Sequence, residues 1–455
     1  MANAHEEFLN RLVDEARDDV FAALDFLWAH PETGYTEWVS NNYLKEKWQA
    51  LGLSLVEAGD IPGFYADLDT GRPGPTIAVM GELDALDIAN HPCSVNGMNH
   101  SCGHCAQGAT MLGIATALSK PGALDGFSGK IRLMMVPAEE MIQLVFREKL
   151  RKEGKIHYFG GKQEFLYRGL FDGVDMALMA HTGIWKGDPK VKFTCTYGHN
   201  GIIAKSFTYH GKASHAGARP SSGVNAEYAA VLGLNACNAL RETFPDEDHV
   251  RFHPISHGVQ TSVNIIPDEV ALESYVRAST YQAMKRENEK INRALTGAAL
   301  SMGASITISD RPGYAPEYDD KSMMKLAEEA ACDLFGEGSA SFSYTAVSAG
   351  SSDFGDLTSL MPGLQFHASG ATGTAHGIDY MIEDRENACI NSAKLELAVL
   401  NRLLSSDAAK AREIIDQYDP LFKSVKEYTD YMDAFTKDLD PICYGEDGNV
   451  SIRLR

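Results

Sequence analysis

At 455 residues the chain is longer than one hydrophobic core normally supports, so two domains are expected. Its 44% hydrophobic and 23% charged content is that of a globular protein, and a formal net charge of −21 argues against a nucleic-acid or acidic-membrane partner, which would need a basic face. Residues 1–15 are polar and acidic, no apolar run approaches the ~20 residues that span a bilayer, and eight scattered cysteines make no disulfide framework, so a cytoplasmic protein is expected.

Apolar residues at helical spacing (Leu9, Leu12, Val13, Ala16, Val20, Leu24) predict a helix over 5–29, ending before Pro31; a second spans 36–51 and closes at Gly52. The period then changes. Short, nearly unbroken apolar runs at 76–80, 131–136 and 176–180 suit central strands covered on both faces, and helical stretches such as 106–118 separate them. Each run leads into polar residues: Glu82 and Asp84 after the first, Glu139 and Glu140 after the second, His181 after the third. Ligands of open α/β sheets bind just beyond the carboxyl ends of the strands. Three strands delivering acids and an imidazole to one edge predict a site there.

The texture differs over 199–312. A strand at 201–209, a helix at 225–241, strands at 260–266 and 269–276, a helix at 284–302 and a strand at 304–309 make a β-α-β-β-α-β, ferredoxin-like unit. It reads as an inserted domain, with Gly and Pro at its exit around Arg311-Pro312-Gly313-Tyr314. Residues 1–198 and 313–455 would then form one discontinuous domain.

The densest polar cluster is Asn99-His100-Ser101-Cys102-Gly103-His104-Cys105, at the entry of the 106–118 helix. Cys102 and His104, with Gly between, can turn toward one point, and thiolate and imidazole are good ligands for zinc and related metals. The same letters hold Cys102-Gly103-His104-Cys105, which invites a thiol–disulfide oxidoreductase reading. That context asks for an apolar strand leading in and a Trp before the first Cys, whereas 95–101 is polar and turn-like. Adjacent Glu139 and Glu140 repel each other, and at a buried strand end they ask for a nearby cation; one can ligate while the other serves as general base. Taken alone such a pair is normally a solvated loop; its position after an apolar strand argues otherwise. His181 and His376, the latter in a Gly-flanked turn, complete the candidate donors.

These segments, with His30-Pro31-Glu32-Thr33-Gly34-Tyr35, Gly211-Lys212-Ala213-Ser214-His215, Asn264-Ile265-Ile266-Pro267 and Ala375-His376-Gly377, resemble in order and spacing the M20 metallopeptidase family, in particular its amidohydrolase branch of aminobenzoyl-glutamate, hippurate and indole-acetyl-amino-acid hydrolases. The resemblance implies a zinc-peptidase-like α/β/α catalytic domain with an inserted ferredoxin-like lid and dimerisation domain. It implies two divalent ions, zinc or manganese, per subunit of a homodimer. Their ligands would be Cys102, His104, Glu140, His181 and His376, with Cys102 bridging where most relatives use Asp. Glu139 would be the general base and Asp84 would orient a ligand imidazole. His215 would act from the lid on the oxyanion, and Asn264 and Arg277 would contact a small amide substrate. A degenerate member that binds metal without turnover stands as a further alternative. Two departures stand out. Cys105 and Gln107 replace residues usual after the Cys-Gly-His motif, and residues 141–161 lengthen the chain after Glu140, with a basic stretch at 147–155 expected to be a solvated face or a specificity loop.

Overall fold

The computed structural model describes residues 4–257 and 262–454. Two compact units emerge: residues 1–198, 318–346 and 356–425 in the first, and 199–317, 347–355 and 426–455 in the second. Among the described residues, no helix is long and apolar enough to cross a membrane.

The first unit is built on a mixed sheet whose inner order runs Phe64–Asp69, Lys130–Val136, Thr76–Glu82, Met176–Ile184, Gly363–Thr372, Phe193–His199. The three apolar runs expected to be central strands are indeed its interior, and their side chains are almost wholly buried. Lys130–Val136, Thr76–Glu82, Met176–Ile184 and Gly363–Thr372 are mutually parallel. Their carboxyl ends therefore share one edge, where polar groups can gather without disturbing the apolar layers.

Helix His104–Leu118 packs between the sheet and the N-terminal helices, and nearly every residue of it is buried. Its run of Ala and Gly lets neighbours approach closely on all sides, which explains why it lacks a polar face. The helix expected over 5–29 forms as two, Ala4–Glu15 and Arg17–Ala29, joined at Ala16, while the next is Trp38–Ala50.

In the second unit, strands Gly201–His210, Glu269–Ala278 and Ser305–Pro312 form an antiparallel sheet with helices Ala226–Ala239 and Tyr281–Ser301. Gly201–His210 lies between Glu269–Ala278 and Ser305–Pro312. The expected strand at 260–266 lies partly outside the described residues, and 262–268 is turn and coil with a single bridge at Ile265. Arg251–Phe252 and Ile255–His257 pair with Glu269–Ala278 in its place. Pro267 and the Asn264 turn interrupt what reads as an apolar strand. The tail also differs from the sequence reading: Lys437–Leu439 hydrogen-bonds to Ser305–Pro312, so 426–455 groups with this unit.

Candidate metal centre

The parallel edge of the first unit collects Asp84, Cys102, His104, Glu139, Glu140, His181 and His376 from four strand ends and one helix. Two sets of donor atoms lie mutually within 4.8 Å: Cys102, His104 and His181 in one, and Cys102, Glu140 and His376 in the other. Cys102 belongs to both. A third set, Glu82, His104 and Glu139, adjoins them.

Gly103 makes the Cys102/His104 convergence possible. Its φ of +93° lies in the left-handed region, and an added Cβ would come within 2.5 Å of the Tyr380 hydroxyl and 2.7 Å of Thr182 Cβ. Only glycine fits both demands. The chain then enters helix His104–Leu118, whose N-terminal partial positive charge favours a thiolate at Cys102.

The histidines are held in one orientation. His104 Nδ1 donates to Asp84, 2.9 Å from the backbone oxygen and 3.0 Å from Oδ1. His181 Nδ1 donates to the Thr182 carbonyl at 2.9 Å. Each ring thus turns its Nε2 inward, as ligand histidines do. The Cys102 sulfur lies 3.5 Å from His181 Nε2, and His376 Nε2 lies 3.1 Å from Glu140 Oε1. Asp84 also accepts from the Glu140 N–H at 2.8 Å, tying the two halves of the site together.

Among the buried donor atoms, His104 Nε2 makes no hydrogen bond to the described residues, and Glu140 Oε1 has only the His376 ring at 3.1 Å. An orphaned buried atom such as His104 Nε2 destabilises by about 1–3 kcal/mol. A sulfur, nitrogen and oxygen set converging within 4.8 Å fits a divalent cation. The protonation balance agrees. Burial and Glu140 push the Cys102 thiol up, but His104 and His181 outweigh them and bring it down to about 6. Glu140 pushes His376 up to about 11, while burial works against the Glu140 charge and His376 and His104 hold it at about 2. Without a cation the cluster is a set of imidazolium–thiolate and imidazolium–carboxylate pairs, whose protons a cation would displace.

Glu82, which the sequence places at this edge without a role, is a close neighbour of the donors. Lys162 binds its Oε1, with both side chains fully buried, and Gln107 donates to its Oε2 at 2.8 Å. With both oxygens engaged, Glu82 faces His104 Nε2 from 3.2 Å as a charge rather than as a spare ligand. Gln107, one of the two departures, thus has a place: it also accepts from the Glu82 N–H at 3.0 Å. His367 was likewise missed. It sits opposite His181 in the parallel register, with ring centroids 5.2 Å apart. The alternation of Leu364, Phe366 and Ala368 with Gln365, His367 and Ser369 was the signal for it. Cys105, the other departure, is buried and its thiol is pushed up to about 12 by burial, a poor setting for thiolate chemistry.

Glu139 is buried, and its Oε2 lies 3.8 Å from His104 Nε2. The remaining candidates belong to the second unit. His215 is exposed, accepts at Nδ1 from the N–H groups of Gly217 and Ala218, and bridges to Ile265; the neighbouring Ala216 N–H donates to the Asn264 carbonyl. The structure thus brings His215 and Asn264 together. Arg277 donates to the Ser351 hydroxyl at 3.1 Å and stacks on Tyr275. It pairs with Ile202, whereas the His215 loop leaves the sheet after His210, opposite Glu269. Eight residues of strand separate those ends, on the order of 26 Å.

The family model for peptidase family M20/M25/M40 matches residues 64–402. An N-acyl-L-amino acid amidohydrolase of Geobacillus stearothermophilus is 26% identical over 325 residues, 69% of this chain and 82% of that protein. An indole-3-acetyl-aspartic acid hydrolase of Enterobacter agglomerans is 30% identical over 271 residues, 56% of each chain. A Bacillus subtilis structure, described as a dinuclear metal-binding peptidase of family M20, superposes with a TM-score of 0.60 at 21% identity, covering 88% of this chain and 99% of its own.

Proposed function

The chain belongs to peptidase family M20/M25/M40, and from that membership we propose that it hydrolyses the amide bond of a small N-acyl or aryl amino acid, or of a dipeptide-like substrate. The observation that carries the reading is Cys102, shared by two donor sets whose other members are His104 and His181 on one side and Glu140 and His376 on the other. These five side chains would hold two divalent cations, zinc or manganese, Cys102 being a member of both donor sets. Both relatives named above carry amidohydrolase or hydrolase names that describe an acyl group joined to an amino acid, which supports the substrate class.

Such ions, when bound, supply the Lewis acidity that polarises an amide carbonyl and makes water nucleophilic near neutral pH. The protein's own part is positional and acid–base. Glu139 Oε2 takes a proton from the attacking water as its oxygen joins the carbonyl carbon, then passes that proton to the amine nitrogen as the C–N bond breaks. The products are a carboxylate and an amine. Asp84 keeps the His104 ring and the Glu140 backbone fixed while this happens.

In the second unit, His215 would steady the oxyanion, Asn264 would contact the substrate, and Arg277 would grip a substrate carboxylate with two parallel hydrogen bonds. Since the His215 loop and Arg277 lie at opposite ends of one strand, a single small substrate cannot touch both within one copy. That separation supports a homodimer in which one copy supplies His215 to the site of the other.

The test is a metal-assayed preparation screened against N-acyl amino acids, aryl-glutamates and dipeptides. We expect hydrolysis that a chelator abolishes and zinc or manganese restores. A fully metal-loaded protein that cleaves no amide in the panel would overturn the reading.

A further inference from the structure

The segment 141–161, which lengthens the chain just after Glu140, forms the helix Leu144–Lys152. Most of its basic residues behave as a solvated face, with the Lys149 and Lys152 side chains 72% exposed. Arg147 does not. It is 1% exposed and ranks among the largest fully buried side chains of the protein.

A buried guanidinium is expensive unless its N–H groups are used. Here those of both Nη atoms go to backbone, while Nε–H makes no hydrogen bond to the described residues. Arg147 Nη1 donates to the carbonyls of Ala138, at 3.3 Å, and Phe159, and Nη2 donates to the carbonyl of Glu140. The ring of Tyr35 lies against the guanidinium, 5.6 Å from its carbon. Two of these carbonyls belong to the turn that carries Glu139 and Glu140. The turn is unusual: Ala138 adopts a φ of +57°, a left-handed conformation that destabilises by about 1–2 kcal/mol for a residue with a Cβ. Its N–H groups are also taken by side chains, Ala138 N–H by Glu37 at 2.7 Å and Glu140 N–H by Asp84 at 2.8 Å.

The sequence makes room for this arrangement. A Cβ on Gly34 would fall 2.4 Å from Arg147 Nη2 and 2.9 Å from the Ala138 Cα. Glycine is therefore required where the guanidinium passes, and the His30-to-Tyr35 segment, whose purpose the site itself does not explain, acquires one.

We propose that Arg147 is a positioning residue for the reaction: it clamps the strained turn 137–140 from its carbonyl side and so sets the directions of the Glu139 and Glu140 carboxylates. The inference rests on the amide-hydrolase reading for its kinetic consequence but not for its effect on the cation site. The added segment is then part of the active-site support rather than a decoration of the surface.

The experiment uses the full chain with Arg147→Ala and Arg147→Lys, read by Co2+ titration and by turnover. For Arg147→Ala we expect the Co2+ affinity to weaken by about tenfold or more, and kcat to fall by roughly 10²-fold with KM nearly unchanged. Free guanidinium ion, far below denaturing concentration, should refill the gap and recover about tenfold in both readouts. Arg147→Lys, which offers one donor nitrogen in place of the two that hold the Ala138 and Glu140 carbonyls, should lie between. If Arg147→Ala does not fold, Arg147→Lys carries both readouts by itself and should weaken Co2+ binding and kcat in the same direction. Loss of thermal stability with Co2+ affinity and kcat within twofold of wild type, or failure of guanidinium to recover either, would overturn the proposal. A wild-type protein that binds Co2+ but cleaves no amide would sink the hydrolase reading alone, and the Co2+ affinities would still decide the role of Arg147.

Discussion

Replacing Lys162 by Met removes the cation that neutralises Glu82 inside the sheet edge. Both side chains are fully buried, so the stranded carboxylate keeps Gln107 and the His104 ring, 3.2 Å away, as its neighbours but loses its strongest partner. Removing one member of a buried pair typically destabilises by about 3–5 kcal/mol. Titration gives the same scale by another route. Burial pushes the Glu82 carboxyl up, but Lys162, then His104 and His181, hold it at about 2. A displacement of that size from an ordinary glutamate corresponds to about 3 kcal/mol. Because three cations share it, Lys162→Met should lose about 2–4 kcal/mol at neutral pH. The sign of the pH dependence follows. A carboxyl depressed on folding contributes its full stabilisation above its unfolded value and loses it as pH falls toward about 2. The variant should therefore approach the wild type in stability as the medium is acidified through that window. Urea unfolding of metal-free protein as a function of pH measures this. In the double variant Glu82→Gln with Lys162→Met no charge is left unpaired, and at least half of the loss should return. A single-variant loss below about 1 kcal/mol, or a double variant whose loss is the sum of the two singles, would refute the reasoning.

Cys102→Ser should lower the bound-metal content and nearly abolish turnover, whereas Cys105→Ser, outside both donor sets, should leave metal bound; equal loss of turnover from both with metal retained would point to thiol chemistry instead. Arg277→Ala should raise KM for a free-acid substrate far more than for its amide, and equal effects on the two would remove the carboxylate-binding role. Glu139→Gln and His215→Ala should each be inactive alone, yet recover about a quarter of wild-type activity when mixed and re-associated, since half the dimers are then mixed and half their sites intact. No recovery, with mixed dimers demonstrated, would exclude a shared site.

The site was legible in the sequence to the extent that its parts lie beside strong periodic signals. Unbroken apolar runs marked the strands Thr76–Glu82, Lys130–Val136 and Met176–Ile184, and the residues just after or within their ends are the ones the structure gathers. Long-range pairings left no such mark. Glu82 and Lys162 are 80 residues apart, and nothing in the local pattern of either says that the other is there. Arg147 was obscured differently. A basic residue in a basic helical stretch reads as solvated, and only the carbonyls of a distant turn make its burial tolerable. The short strands Arg251–Phe252 and Ile255–His257 carry too few residues to show a period, whereas 260–266 shows one without forming a regular strand over its described part. The C-terminal tail joins the second unit through the few residues of Lys437–Leu439, again too short a signal to read.

The central claim is that Glu139 moves a proton while its neighbour Glu140 holds a cation. Measuring metal content and turnover side by side for Glu139→Gln and Glu140→Gln tests it most directly. Glu139→Gln keeps the shape of the side chain but cannot accept a proton, so metal should remain at the wild-type level while turnover falls by roughly 10²–10⁴-fold. Glu140→Gln should instead lose metal. Swapped phenotypes, or wild-type turnover in Glu139→Gln, would contradict the account.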